Sequence, residues 1–292
     1  MNIKPGDMIS LVTGATGHVG SAVASELVAQ GQTVRTLARD AGKIEPRLRA
    51  ITDVRIAGYE DYDALLVAMR GATQVFLVSL PGNVRDRVPY HSNAVRAAKE
   101  AQVKHIVYLS FLEGDGTSPF SYGRENTATE EIIRRSGVVH SFIRPNFYMQ
   151  IALSLALGSN GKIAAPAGTG KVGWVDRRDV AAVVTSVLLR RPQASGAYTV
   201  TGSRSLSFET VAKILSEKTG IAFRYHDEAP AAARASRIAQ GIAAHQVDAA
   251  LGSYELMRSG GADIVTSTVE ELTGRPPRSF EALVEENSDA IR

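Results

Sequence analysis

The sequence predicts an α/β protein built on a doubly wound parallel sheet, and three observations carry that expectation. An apolar run, Met8 to Val12, passes through Thr13-Gly14-Ala15-Thr16-Gly17-His18-Val19-Gly20 into a segment with Val19, Val23 and Leu27 at helical spacing. Strand-like and helix-like segments then alternate to about residue 145, a pattern that demands parallel pairing with right-handed crossovers. At 292 residues with 44% hydrophobic content, the chain has enough material for one large sheet and a smaller appendage.

The first strand and its glycines form a phosphate-binding device. Gly14 permits a tight turn, Gly17 lets the backbone approach a pyrophosphate, and Gly20 lets the helix pack close to the strand. The free N–H groups at the helix start, from Thr16, Gly17, His18 and Val19, then face the anion. His18 reads equally as a solvent-exposed side chain. Gly31 stands where a helix ends, and Thr33 to Ala38 reads as a second buried strand. Arg39 closes that strand, with Lys43 four residues on. Such cations pair with a ribose 2′-phosphate, which favours NADP(H) over NAD(H), although Asp40 is of the type that accepts from the 2′-hydroxyl of NAD. Solvated surface charge is the bland alternative for both cations.

Val54 to Ala57 reads as a third strand, Asp61 to Arg70 as a helix, and Gln74 to Ser79 as a fourth, fully buried strand. It ends in Ser79-Leu80-Pro81-Gly82, a turn expected beside the cofactor at the carboxyl edge of the sheet. His91 to Gln102 reads as a helix, His105 to Ser110 as a fifth strand and Ser141 to Arg144 as a sixth. Gly158 to Val172 reads as a surface segment, and Asp179 as the cap of a helix from Val180 to Leu189. Tyr198 to Thr201 is a late strand, Ser207 starts a helix to about Lys218, and a short strand and alanine-rich helices follow Phe223. The expected organisation is a Rossmann-type nucleotide domain over 1–150, a substrate-side segment over 151–173, a return over 174–202, and a smaller, mostly helical substrate-side region over 203–292.

Charge and composition exclude several classes. Thirty-three basic residues against thirty acidic ones leave no basic stripe of the kind that tracks nucleic acid. No cysteine is present, and the six histidines lack paired metal-ligand spacing, so no metal site is expected. No apolar run reaches bilayer length and the start is polar, so no membrane partner and a cytoplasmic location are expected. A homodimer stays open.

By its motifs the chain resembles the atypical short-chain dehydrogenases of the NmrA-like family, especially bacterial NADPH-dependent quinone and triphenylmethane-dye reductases. The resemblance runs nearly end to end, through TGATGHVG, HIVYLS, SPFSYGRENTATEEIIRRSG, SFIRPNFYMQ, VGWVDRRDVAAVV and TGRPPRSFEALVEEN. It implies that the turn Pro145-Asn146-Phe147 lies against the nicotinamide, with Tyr148 and Met149 walling the pocket, whereas the residues alone also allow an aromatic plug. The third-strand turn departs from the pattern: relatives often place an aspartate toward the adenine there, and this chain has Gly58, with Glu60 and Asp61 just beyond.

Short-chain dehydrogenases that reduce carbonyls use a serine, a tyrosine and a lysine in series to orient and protonate the oxygen. Ser110 and Tyr122 match the first two spacings here, and Asn126 occupies the third, where the resembled family often carries lysine or histidine. Asn126 can hydrogen-bond but cannot shuttle a proton, and without an ammonium beside it Tyr122 is a poor base. Ser110 and Tyr122 also read as a strand-end polar residue and a packed aromatic. The incomplete set favours a small electron acceptor that delocalises charge, such as a quinone. The alternative is an NADP(H)-binding redox sensor that acts through a protein partner without turnover.

Overall fold

The longest uninterrupted pattern of apolar strands yields the centre of the molecule. The computed structural model describes residues 8–81, 86–112, 116–190 and 195–291. Seven strands, β1 (Ile9–Thr13), β2 (Thr33–Ala38), β3 (Asp53–Ile56), β4 (Gln74–Val78), β5 (His105–Leu109), β6 (Val139–Pro145) and the late strand Gly196–Val200, form one sheet. Its order is β3-β2-β1-β4-β5-β6 followed by the late strand. The pairs β1–β2, β1–β4, β2–β3, β4–β5 and β5–β6 are all parallel. This is a Rossmann-like α/β fold, and the order reverses between β1 and β4, where such sheets bind ligands.

By contact the chain divides into two units. The first comprises Met1–Phe111, Glu125–Arg144 and Val180–Tyr198; the second comprises Leu112–Arg124, Pro145–Asp179 and Thr199–Arg292. Segments 151–173 and 203–292 fall wholly in the second, while 174–202 is divided, with 180–198 in the first.

In the first unit the helices α1 (His18–Ala29), α2 (Pro46–Ile51), α3 (Tyr62–Met69), α4 (Arg87–Glu100) and most of α5 (Ser121–Ser136) link the strands. Leu11, Leu37, Leu65, Met69, Val75, Ile106, Ile133 and Phe142 share one buried cluster, the removal from water that drives the layers together. Asp61 caps α3, accepting from the Ala64 N–H at 2.9 Å. At the other end of α3, the buried Arg35 of β2 donates to the carbonyls of Ala68 and Arg70 at 2.7 and 2.8 Å. A cation there satisfies orphan carbonyls and complements the helix dipole. Gly31, at φ +70°, ends α1 as expected. Helix α4 begins at Arg87, four residues before the predicted start. Pro89 falls in its first turn, where a missing N–H costs nothing. A buried ion pair ties α5 to the sheet: Arg144 Nε and Nη2 donate to the two Glu130 carboxylate oxygens at 2.9 and 2.6 Å, and Ser110 Oγ donates to Oε1 at 2.7 Å.

The second unit is organised around Trp174, which is fully buried and donates Nε1–H to Leu206 C=O at 3.1 Å. Its ring meets Phe208 edge-on at 5.4 Å and Phe147 at 6.2 Å, and Phe208 stacks on Tyr225 at 5.6 Å. Such geometries suit the aromatic quadrupole. The stretch 158–172 is not a plain surface segment. Lys162–Ala165 pairs in parallel with Arg224–Asp227, Lys171–Val172 pairs antiparallel with Leu206–Ser207, and Ile163, Ala165 and Val172 are buried. The helix expected from Val180 starts at Arg177, and Asp176 caps it by accepting from Arg178 N–H at 2.8 Å. Asp179 is therefore inside the first turn, and its Oδ2 accepts from Arg278 N–H at 2.8 Å. Ser207 caps Phe208–Thr219 as expected. No helix among the described residues is long and apolar enough to cross a membrane.

The Glu130 carboxylate is compensated chiefly by Arg144. Half-exposed Arg134 also donates from Nη2 to Glu130 Oε2 at 2.9 Å, and Arg144→Met is expected to lower the unfolding free energy by about 3 kcal/mol, because the buried carboxylate loses its one buried, bidentate partner. The double variant Glu130→Leu/Arg144→Met should recover part of that loss in urea unfolding, and equal losses would contradict the assignment.

Candidate functional site

The glycines of the first turn differ in what requires them. Gly14 adopts φ +63°, and a Cβ there would press on the Val78 side chain at 3.1 Å. Gly20 has no room at all, since its Cβ would lie 2.2 Å from Gly14 C=O. Gly17 is different: its φ is −99°, and its Cβ would meet only Gly14 C=O at 3.4 Å, an ordinary contact. Packing within the protein does not demand a glycine at 17. The bare backbone there leaves room for a ligand at the start of α1, and it suits a dinucleotide pyrophosphate. Thr16, Gly17 and His18 are exposed there, whereas the Val19 side chain is buried and leaves only its N–H for an anion.

At the end of β2, Thr16, Arg39, Asp40 and Lys43 line a cleft of about 300 Å³. Asp40 is turned into its own chain: Oδ1 accepts from Gly42 N–H at 2.8 Å and caps the 3-10 turn Ala41–Lys43. Neither Arg39 nor Lys43 has a carboxylate partner among the described residues.

A buried polar network that the sequence reading missed fixes the turn after β4. The Leu80 N–H donates to His91 Nε2 at 2.9 Å, so Nδ1 carries the histidine proton and donates to Thr129 Oγ1 at 2.9 Å; that hydroxyl donates to Glu125 C=O at 3.0 Å. Burial, with the Arg87 charge beside it, pulls the His91 pKa down to about 3. Arg87 Nε donates to the Leu80 C=O at 2.9 Å, and its other nitrogens pair with Glu125 and with Asn126 Oδ1, the latter at 3.1 Å. The Leu80 peptide is thus held at both ends by α4 side chains. Ser79 and Leu80 are half-buried and Pro81 is exposed; Gly82, the last residue of the expected turn, lies outside the described residues.

Asn126 is buried, and Tyr108 OH also donates to its Oδ1 at 3.0 Å. An arginine can only donate, so the oxygen must face Arg87 and the NH₂ branch is left on the other side of the amide. Burial pushes the Tyr108 phenol well above its usual range, which keeps it a donor. The Ser110 proton is committed to Glu130. The structure therefore gathers Ser110 and Asn126 into the framework around β5 and α5.

In the second unit, Tyr122 is half-buried with its ring edge-on to Phe120 at 5.4 Å. Phe147 is only 5% exposed and packs against Phe120 at 5.8 Å as well as Trp174. Asn146 ties its turn to a distant segment: Nδ2 donates to Ala262 C=O at 2.9 Å and Oδ1 accepts from Phe147 N–H at 2.8 Å. Pro145 is buried and Tyr148 half-buried beside them. Among the described residues no cluster of three metal-ligating side chains exists.

A model of the NmrA-like family matches residues 7–256. The NAD(P)H azoreductase of Xenophilus azovorans is 32% identical over 272 residues, 92% of this chain and 94% of that one. The (4-alkanoyl-5-oxo-2,5-dihydrofuran-3-yl)methyl phosphate reductase of Streptomyces griseus is 35% identical over 96% of this chain and 98% of that one. Among solved structures, the NADPH-dependent quinone oxidoreductase QOR2 of Escherichia coli, complexed with NADPH, superposes with a TM-score of 0.88 at 29% identity, covering 96% and 99% of the two chains.

The glycines give a paired prediction. Gly20→Ala should cost more than about 2 kcal/mol of stability, because backbone must move, whereas Gly17→Ala should fold with near-wild-type stability and lose NADPH affinity in a fluorescence titration. Equal stability losses would contradict the distinction. A second expectation concerns His91. Below pH 6.5 an unfolded chain takes up a proton that folded His91 refuses until about pH 3. Stability should therefore fall as pH drops from about 6.5, by up to about 1.4 kcal/mol per pH unit for this group. His91→Gln should shallow that slope in urea unfolding between about pH 6.5 and 4.5; an unchanged slope would contradict it.

Proposed function

The chain belongs to the NmrA-like family, and on that premise we propose that it is an NAD(P)H-dependent reductase that passes hydride to a small conjugated acceptor and takes NADPH in preference to NADH. The observation that carries the cofactor reading is the cleft between Thr16, Arg39, Asp40 and Lys43. Two cations there lack carboxylate partners, and the one acid that could serve a ribose hydroxyl already caps its own turn. That balance suits a 2′-phosphate.

Bound NADPH supplies the hydride. The N–H groups of Thr16, Gly17, His18 and Val19, with Gly14 shaping the turn, hold the pyrophosphate, and Arg39 and Lys43 take the 2′-phosphate. Ser79, Leu80 and Pro81 present the turn that His91 and Arg87 make rigid. Pro145, Asn146 and Phe147 are assigned to the nicotinamide, and Tyr122 and Asn126 to the acceptor. Asn126 offers amide hydrogens held in one orientation by Arg87 and Tyr108, so it orients an oxygen without giving it a proton.

This donor set favours acceptors that need little acid help. Hydride addition to a simple ketone builds a localised alkoxide, whereas addition to a quinone or an enone spreads the charge over a conjugated system. The named activities of the relatives fit that class, since an azo bond, a dihydrofuranone and a quinone are all conjugated. They do not favour the sensor alternative.

Steady-state oxidation of NADPH with quinones, conjugated enones, cationic dyes and simple aldehydes tests the reading. Arg39→Glu should raise KM for NADPH by about 10–100-fold, the worth of a charge-assisted phosphate contact, and leave KM for NADH within about twofold. Equal effects on both cofactors would sink the 2′-phosphate assignment, and tight binding without turnover on any acceptor would return the sensor.

A further inference from the structure

We propose that the Glu60 carboxylate accepts a hydrogen bond from the exocyclic amine of the cofactor's adenine, which makes Glu60 a specificity-determining residue for the base. The inference rests on the dinucleotide reading above. Ala57 N–H donates to Ala38 C=O at 3.1 Å, so the residues after β3 continue along the same edge as Arg39 and Asp40. Gly58 to Asp61 form a turn closed by Asp61 N–H to Gly58 C=O at 3.2 Å.

That turn is anchored from below. The buried Tyr59 places its hydroxyl 2.6 Å from Thr13 Oγ1 and donates to Val78 C=O at 2.9 Å. Val78 N–H donates in turn to Thr13 Oγ1 at 2.8 Å, and Asn93 Nδ2 donates to Tyr59 C=O at 3.2 Å. One phenol therefore ties the turn after β3 to the ends of β1 and β4.

With Tyr59 directed inward, Glu60 folds back over Gly58. A Cβ on Gly58 would lie 2.2 Å from Glu60 Oε1 and 2.4 Å from Oε2, so the carboxylate fills the space that a side chain at 58 would take. Gly58 is absent from the left-handed glycines, so its backbone does not require glycine. Asp61, the other acid of the turn, is spent as the α3 cap. Glu60 is exposed and makes no hydrogen bond or ion pair among the described residues.

The ligand chemistry follows from what remains. The glycine turn takes the pyrophosphate and the Arg39 cleft takes the ribose phosphate, which leaves the base to lie farther along the β2–β3 edge. Adenine presents an amine there, a donor that a carboxylate accepts, whereas hypoxanthine presents a carbonyl oxygen that a carboxylate repels.

The test is calorimetric binding of NADPH and of its hypoxanthine analogue, deamino-NADPH, to the full chain. Wild type should prefer NADPH by about tenfold or more, as one charge-assisted hydrogen bond provides. Glu60→Ala should bring the two affinities within about twofold, and Gly58→Ala should do the same by displacing the carboxylate. Gly58→Asp in the Glu60→Ala background should restore the preference by supplying a carboxylate from position 58. An unchanged ratio in Glu60→Ala, with NADPH still bound, overturns this assignment alone. Failure of the wild-type chain to bind NADPH overturns the cofactor reading and this inference with it. Arg39→Glu separates the two again, since it should weaken both nucleotides and leave their ratio intact.

Discussion

The approach of α1 to the turn after β1 sets the geometry on which the rest of the candidate site depends. A Cβ at Gly20 would come within 2.2 Å of the Gly14 carbonyl, so the helix can dock only on bare backbone. Docked that way, α1 starts at the carboxyl end of β1, where Gly14 lies against Val78 of β4, and Thr16, Gly17 and His18 are exposed. The same turn needs the left-handed backbone of Gly14 against Val78. Two glycines are thus consumed in making the platform, and the third is left for what binds on it.

Around this platform the protein spends buried polar groups on rigidity. Thr13, Tyr59 and Val78 brace the ends of three strands, and Arg87 with His91 grips the Leu80 peptide. Every group in the Leu80 network is used in the sense its chemistry allows: the neutral histidine accepts on one nitrogen and donates on the other, and the arginine only donates. Burying such groups costs free energy unless each is satisfied, and what they secure is a defined backbone in the turn after β4 and an Asn126 amide with one orientation. An amide held that way can orient an acceptor's oxygen but cannot protonate it, which is why the proposed acceptor is one that spreads the charge it receives.

How much of this was legible in the sequence depended on range. Glycine spacing and the Arg39-Asp40-Lys43 run are local, and the parallel, doubly wound class followed from alternation of apolar strands with helices. The network of Arg87, His91, Tyr108, Asn126 and Thr129 was not legible, because its partners lie up to 39 residues apart and nothing local marks Arg87 as buried. Asn126 could be recognised as a substitution but not as an amide pinned on its oxygen side. Asp176 and Asp179 are both of capping type, and only the true start of the helix at Arg177 decided between them. The strands inside 158–172 are two to four residues long, too short for a period of two to stand out beside glycines. Gly58 and Glu60 read as a gap and a neighbour, while in space one carboxylate covers the other's missing side chain.

The proposed reaction passes hydride from a bound nicotinamide to a conjugated acceptor without a protein proton donor. The most direct measurement is isotopic: NADPH deuterated at the transferring carbon is incubated with the purified chain and a conjugated enone that takes hydride at carbon, and the product is analysed for label. Such transfer places one deuterium at the β-carbon of the enone and none in an unconjugated ketone supplied alongside. Cofactor bound tightly with no label reaching the enone, or label reaching the simple ketone equally well, would contradict it.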